Sequence, residues 1–315
     1  MRGLAVLIAL ASAGCTDALD HVSSVHDLRI LAIGSDPPDS VMPAGVDPRS
    51  GGVPPLPVFR IKLLLGDDPQ AQRSVQYRVT TCPKADRMRC EGLDGGVGSV
   101  MVIGEGSAVP VGGIVEAEVT LGRFEQLAEL YPLIQKAIEE DPYKGFGGLP
   151  LAISVRVWAG DEEVVGGSRI PLWLPIPWAT PGLVPNVAPQ EPEVLFDGIV
   201  ALPGDLPEVR SGGFPLDVFE VPDDLKESYV VPTFDGATKT LRESWSYSWF
   251  TTKGYFAPEG TGGYNPALQE DNDTDTQLQI LDSEPPGEFK VVCVVRDGRG
   301  GESWIIRDAF FAGPR

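Results

Sequence analysis

Turn-forming residues are so frequent in this chain that they limit the length of any regular element. The 315 residues include 37 glycines and 30 prolines, which interrupt helices and mark the turns between strands. Between the turns, apolar and polar residues alternate with a period of two, which indicates strands with one buried face. Two runs of these apolar residues are Val115, Ala117, Val119 and Leu121, and Leu151, Ile153, Val155 and Val157. We therefore predict an all-β protein.

Composition restricts the class of partner. Asp and Glu total 45 against 25 Lys and Arg, which gives a formal net charge of -20 at pH 7. Phosphate backbones and anionic lipid surfaces repel such a chain, so we expect no nucleic-acid partner. Hydrophobic residues make up 42% of the chain, enough for folded domains rather than an acidic disordered tail.

The N-terminus has the pattern of an export signal. An apolar run extends from Leu4 to Ala11 and is far shorter than the roughly 20 residues that cross a bilayer as a helix. The next residues, Ser12-Ala-Gly-Cys15, look like a bacterial lipobox, and this resemblance implies that Cys15 is lipidated. Residues 1–14 are then a lipoprotein signal peptide and residues 15–26 a tether. The alternative is an ordinary secretory signal in which Cys15 is incidental.

Three further cysteines fit an exported protein. Cys82 and Cys90 bracket a short loop, and in an oxidising compartment the simplest use of such a pair is a local disulfide. Zinc is the competing use, but the spacing differs from that of zinc sites and both histidines, His21 and His26, are distant in sequence. Cys293 lies in an apolar strand, so we expect a buried, inert thiol.

The proline distribution predicts two domains. Four prolines fall within residues 181–192, which indicates an extended linker. We predict an N-terminal β-sandwich domain over residues 27–180 and a C-terminal domain over residues 193–315.

One helical insertion interrupts the first domain. Apolar residues recur at intervals of three and four over residues 123–140, which indicates an amphipathic helix. They are Phe124, Leu127, Tyr131, Ile134 and Ile138. Because an interior proline removes a hydrogen bond, we expect Pro132 to break this helix into two pieces. We expect the helix to pack on the sandwich; the alternative is a face that binds a partner or lipid.

The C-terminal residues resemble the last hairpin of PKD-like and other immunoglobulin-like domains. A start of Pro286-Gly-Glu-Phe289 leads through valines to Asp297-Gly-Arg-Gly300. Upstream, Trp245, Tyr247 and Trp249 share one side of a strand, either as core residues or as a ligand platform. This resemblance implies two immunoglobulin-like β-sandwich domains, the first with a short helical insertion.

Several segments in order resemble a family of myxobacterial surface lipoproteins. Besides the lipobox and the proline linker, they include Asp27-Leu-Arg-Ile-Leu-Ala-Ile33, Asp36-Pro-Pro38, Tyr77 with Cys82-Pro83, and the terminal Arg296-Asp-Gly-Arg-Gly-Gly301. The resemblance implies architecture and location, and it brings no activity, cofactor or catalytic residue.

Motifs for catalysis and metal binding are sparse. We expect no catalytic residues, because both histidines lie in the predicted tether and no serine lies in a Gly-x-Ser-x-Gly motif. Asp271, Asp273 and Asp275 alternate as at the start of a calcium loop, although Thr276 replaces the EF-hand glycine. The segment is therefore either a calcium site or a solvated acidic loop, and no other cofactor is indicated.

These observations together predict a lipid-anchored protein of the bacterial cell envelope, which we expect at the outer membrane. We expect it to act as a binding or structural module, with an envelope protein or polysaccharide as partner. The alternative function is a carboxylate-dependent envelope enzyme that acts on carbohydrate or peptidoglycan.

Overall fold

A computed structural model describes residues 21–42, 56–83, 90, 100–143, 145–174 and 183–314. Within these residues the chain forms 22 β-strands and one α-helix, arranged as two β-sandwiches. This confirms the predicted all-β class, with two β-sandwiches and one helical insertion in the first. The predicted signal peptide and Cys15 lie outside the described residues.

The first sandwich contains strands β1 to β8 and helix α1. Their bounds are β1 Arg29–Asp36, β2 Ser40–Val41, β3 Phe59–Gly66, β4 Val75–Pro83, β5 Met101–Ala108, β6 Ile114–Leu121, α1 Phe124–Glu140, β7 Leu149–Ala159 and β8 Glu162–Trp173. One sheet has the strand order β1-β3-β6 and the other β2-β8-β7-β4-β5. All neighbours are antiparallel except β2 and β8.

The predicted alternation holds in β6, whereas β7 is buried on both faces over residues 151–155. The four residues that the pattern selected in β7, Leu151, Ile153, Val155 and Val157, are buried, and so are Ala152 and Ser154 on its other face. In β6, Val119 and Leu121 are buried while Glu116 and Glu118 are exposed. Apolar side chains from both sheets form one core, and α1 covers part of it.

Helix α1 is continuous, so the predicted break at Pro132 is wrong. Its first turn is held by Gln126, whose side-chain oxygen accepts hydrogen bonds from the backbone N–H groups of Gly122 and Arg123 at 3.1 Å. Burial of Leu130 and Ile134 on either side of the proline holds the helix together across the missing hydrogen bond. No helix among the described residues is long and apolar enough to span a membrane.

The predicted stripe is correct except at its first position. Tyr131, Ile134 and Ile138 are buried and Leu127 is partly buried against the core. Phe124, in contrast, is 77% exposed. The helix therefore packs on the sandwich as expected, and its large exposed apolar side chain, Phe124, lies at its N-terminal end.

The second sandwich contains strands β9 to β22. Their bounds are β9 Val194–Phe196, β10 Ile199–Val200, β11 Glu208–Val209, β12 Gly212–Val218, β13 Ser228–Pro232, β14 Thr238–Arg242, β15 Ser246–Thr251, β16 Tyr255–Ala257, β17 Gly260–Gly262, β18 Tyr264–Asn265, β19 Glu270–Asp271, β20 Thr276–Ile280, β21 Gly287–Arg296 and β22 Glu302–Phe311, with a 3-10 helix at Asp223–Leu225. The two main sheets have the orders β10-β9-β12-β20-β16 and β11-β22-β21-β15-β17. Two hairpins, β13-β14 and β18-β19, stand outside them.

The aromatic strand β15 supplies the core of this sandwich. Trp245, just before β15, and Tyr247 and Trp249 within it are 5%, 3% and 0% exposed, so they are core residues and present no open ring face. Cys293 is a free, fully buried thiol, as predicted. Burial raises the pKa of this thiol well above its usual range, which makes it unreactive.

The two sandwiches pack against each other through a third apolar cluster. Strand β21 buries both faces, with Val291 and Cys293 in its own core and Val292 and Val294 turned toward the first sandwich. Trp304 of β22 joins them. The buried residues of this cluster are Val25, Leu31, Ala32, Leu64, Ile114, Val292, Val294 and Trp304. A continuous apolar run is the pattern of a strand covered on both sides, which is why Val291 to Val295 reads without polar interruptions.

Residues before the first sandwich are attached to the second. Ser23 and Val25, which belong to the predicted tether, are fully buried. The Thr251 N–H donates to the Ser23 carbonyl and the Val25 N–H donates to the Thr251 carbonyl, each at 2.8 Å. The structure thus differs from the predicted tether at these residues, because their backbone extends the hydrogen bonding of β15.

The disulfide prediction is confirmed. Cys82, at the end of β4, is bonded to Cys90 with a Cα–Cα distance of 5.7 Å. Both cysteines are buried and pack on Ala152 of the neighbouring strand β7. The bond therefore joins the end of β4 to Cys90 beside β7.

Candidate functional site

The first of three candidate sites among the described residues lies where the sandwiches meet. Asp39 follows β1, Asn186 lies in the proline-rich connector and Asp297 begins the turn between β21 and β22; each is 2% exposed. The Asp39 carboxylate accepts hydrogen bonds from the Asn186 N–H at 2.7 Å and the Trp173 indole at 2.9 Å. The Asn186 amide donates to Asp297 at 2.8 Å. The connector thus joins an acid of each sandwich.

Arg299 extends this network into the second sandwich. Its guanidinium lies 2.8 Å from Glu227 and 3.2 Å from Glu243, which is only 4% exposed. It also lies over the Tyr229 ring at 4.3 Å. We call Asp39, Asn186, Asp297, Arg299 and Glu243 the interdomain polar cluster. Each charged member has charged or hydrogen-bonding partners, as burial requires.

Burial dominates the titration of the acids in this cluster. Loss of hydration raises the pKa of Asp39, Asp297 and Glu243 above their ordinary values, and hydrogen bonds and the Arg299 charge offset only part of this rise. Perturbed carboxyls often mark active sites. Here their oxygens are directed at indole, amide, guanidinium and backbone N–H groups, so the arrangement serves to join the sandwiches.

We expect the cluster to make stability depend on pH. Because the folded chain raises these pKa values, the acids contribute most to stability below about pH 4, and the contribution declines as pH rises through the folded-state values. Asp297→Asn should flatten this decline, since the asparagine does not titrate. The Asn186 side-chain oxygen, which is buried without a partner, can accept from it after the amide turns. Urea unfolding between about pH 4.5 and 7.5 measures the difference.

The exposed acid Asp282 provides the matched control. Asp282→Asn should leave the pH dependence as in the unaltered protein, because Asp282 is exposed to solvent. If the free energy of unfolding of Asp297→Asn changes with pH as steeply as that of the unaltered protein, then the pKa of Asp297 does not differ between the folded and unfolded states.

The second place is a cleft between the sandwiches with a volume of about 430 Å³. His26 lines it together with Lys253 and Lys290. Lys290 is paired with Asp308, and Lys253 donates to the Pro285 carbonyl. Both lysines are therefore already engaged by the protein.

His26 forms a close pair with Ser24, but the pair lacks the geometry of a nucleophile and its base. The Ser24 hydroxyl lies 2.6 Å from the His26 ring and donates to the Gly254 carbonyl, also at 2.6 Å. Since a hydroxyl has one proton, the ring nitrogen donates to Ser24 and cannot accept its proton. The prediction that both histidines lie in a tether is nevertheless wrong: His26 pairs with Ser24, and His21 stacks on Tyr255 with ring centroids 3.6 Å apart.

The third place is a cavity of about 430 Å³ within the second sandwich. Asp217, Lys226, Tyr247 and Asp271 are among the residues that line it, and we call it the Tyr247 cavity. Lys226 and Ser244 donate to Asp271 at 2.7 and 2.6 Å. These bonds and the charge of Lys226 lower the pKa of Asp271 against a rise from partial burial.

The structure does not assemble the predicted calcium site. Asp271, Asp273 and Asp275 do not converge, and the described residues contain no group of three acids, histidines or cysteines suited to a metal ion. Asp271 is held by Lys226, while the Asp273 carbonyl accepts from the Gly262 N–H at 2.8 Å. The backbone thus runs along neighbouring strands toward β20 instead of wrapping around an ion.

Sequence reasoning named Tyr247, Asp271 and His26 separately but did not predict which residues come together at any of the three places. With 45 acids in the chain, nothing local distinguishes a buried carboxylate from a solvated one. The only advance signal at Asp297 was its place before Gly298 in a tight turn, where its carboxylate accepts from the Arg299 and Gly301 N–H groups at 2.7 and 2.9 Å.

Comparisons with known proteins identify no family. No family model matches the chain, and no curated protein matches it. Among solved structures, red sea bream transglutaminase aligns at a TM-score of 0.24 and 9% identity over 91% of this chain and 31% of its own. Latent PorU from Porphyromonas gingivalis aligns at a TM-score of 0.21 and 12% identity over 92% of this chain and 24% of its own. Escherichia coli alpha-2-macroglobulin aligns at a TM-score of 0.24 and 10% identity over 94% of this chain and 22% of its own. The chain spans less than a third of each of these proteins.

Proposed function

We propose that this protein is an exported, lipid-anchored module of the bacterial cell envelope that acts by binding rather than by catalysis. The lipobox-like residues before Cys15 and the Cys82–Cys90 disulfide support export to an oxidising compartment. The acidic composition, with a net charge of -20, favours attachment through lipid rather than through contact of the protein surface with anionic headgroups.

The observation that carries the binding role is the firm junction between the two sandwiches. A shared apolar cluster and the interdomain polar cluster hold them together, so their loops and cavities keep a set geometry, which lowers the entropic cost of binding. The cavities have the size typical of small-molecule sites. The partner we propose is an envelope protein or polysaccharide.

Fatty-acid labelling in cells tests the anchor. We expect the unaltered protein to incorporate labelled fatty acid and to sediment with membranes, whereas Cys15→Ala should do neither, because only a lipidated cysteine provides the anchor. Cys293→Ala is the matched control, since it removes a buried thiol of the folded body and should leave labelling intact. Equal labelling of the unaltered protein and Cys15→Ala would exclude the proposed anchor.

A further inference from the structure

Tyr247 is a buried residue that lines the Tyr247 cavity. It is 3% exposed, yet its hydroxyl makes no hydrogen bond with any described residue. Tyr247 lines the Tyr247 cavity with Asp217 and Asp271, and both carboxylates act electrostatically on its hydroxyl. Since buried phenols usually find a partner, this hydroxyl is available to a ligand in the cavity.

The cavity also has an unbalanced negative charge. Its acids are Asp217, Glu220 and Asp271, and its one lysine is Lys226. Lys226 is paired with Asp271 at 2.7 Å, so it does not neutralise Asp217. One oxygen of Asp217 accepts from the Thr274 hydroxyl at 2.6 Å, which leaves its second oxygen for a ligand.

Aromatic groups define which kind of ligand fits. The rings of Trp245 and Tyr247 are almost fully buried, so neither offers the open face on which a sugar ring would stack. Phe219, which also lines the cavity, is 53% exposed. A carboxylate, a phenol oxygen and an exposed aromatic ring together suit an organic cation, which gains from the charge and from the ring.

We propose that the Tyr247 cavity binds a ligand carrying a primary ammonium or guanidinium group, with Asp217 as its counter-ion and the Tyr247 hydroxyl as acceptor of one N–H. Phe219 contacts the alkyl part of the ligand at the rim. This site deepens the binding role proposed above, because it names the chemical class that the module recognises.

Saturation-transfer NMR on the full chain in a polyoxyethylene detergent tests the site with three probes. We expect n-butylguanidinium and n-butylammonium to bind with dissociation constants on the order of 1 mM, and the neutral probe n-butanol to give no saturable signal. Asp217→Asn should weaken binding of both cations at least about tenfold by removing the counter-ion, and Tyr247→Phe should weaken it about tenfold by removing the acceptor.

Two variants in the first sandwich serve as matched controls. Asp161→Asn and Tyr143→Phe alter exposed residues that do not line the cavity, and we expect neither to change the affinity. Melting curves establish whether each variant is folded. If Tyr247→Phe does not fold, the loss of cation binding in Asp217→Asn tests the proposal.

Three results would overturn the site. They are equal binding of butanol, which would indicate an apolar cavity only; cation binding that Asp217→Asn leaves unchanged; and binding of glucose, but not of the cations, that is lost in Tyr247→Phe. Membrane attachment is measured separately through Cys15. A negative result for cation binding therefore does not contradict the proposed anchor, and a negative labelling result does not contradict the proposed cavity site.

Discussion

Replacement of Arg299 by alanine should lower the free energy of unfolding by about 3–5 kcal/mol at pH 7. The guanidinium is the cation between Glu227 and Glu243, and the Glu243 side chain is only 1% exposed. Its removal leaves a buried carboxylate without a counter-charge, which costs more than the ion pair itself contributes. For a unit of this size the loss corresponds to a drop in melting temperature of roughly 5–15 °C.

The pH dependence of this loss identifies its cause. Glu243 already has a raised pKa because of burial, and without Arg299 it should take up a proton at a still higher pH. The loss should therefore be smaller near pH 5 than at pH 7. The matched control is Arg210→Ala, which breaks an exposed pair with Glu208 and should cost less than about 1 kcal/mol. An equal loss at both pH values would mean that packing of the side chain, not charge, is responsible.

Replacement of Trp304 by alanine should separate the sandwiches without unfolding them. Trp304 is 8% exposed in the cluster between the sandwiches, and its indole N–H donates to Glu116 of β6 at 2.8 Å. Loss of a buried tryptophan costs about 3–5 kcal/mol. Because Trp304 belongs to neither sandwich core, the loss falls on the contact between them.

Small-angle scattering and circular dichroism distinguish this outcome from general unfolding. We expect Trp304→Ala to increase the radius of gyration, to expose the connector around Asn186 to proteases, and to keep the β-type spectrum. Trp304→Phe is the matched control: it retains ring packing and loses one hydrogen bond, which should cost about 1 kcal/mol. An unchanged radius and unchanged protease resistance in Trp304→Ala would show that the sandwiches are held together elsewhere.

The strands, the helix and the disulfide followed from local patterns. Alternation in β6 and β7 placed the correct residues inward, because a strand that buries one face requires a period of two. The short spacing of Cys82 and Cys90 sufficed for their bond, since few residues separate them. Pro132 was misjudged because helix propensity acts locally, whereas burial of Leu130 and Ile134 acts through the fold.

The sequence by itself therefore determined the elements of this protein: strands, one amphipathic helix, a local disulfide and a proline-rich boundary near residue 186. Only the tertiary structure decided which residues of these elements contact one another. It buried Asn186 between Asp39 and Asp297, attached Ser23 to β15, and placed Tyr247 beside Asp217 in one cavity. The physical reason is that periodicity and spacing act over a few residues, whereas the burial and pairing of a polar group depend on partners more than 100 residues away, such as Asn186 and Asp297 at a separation of 111.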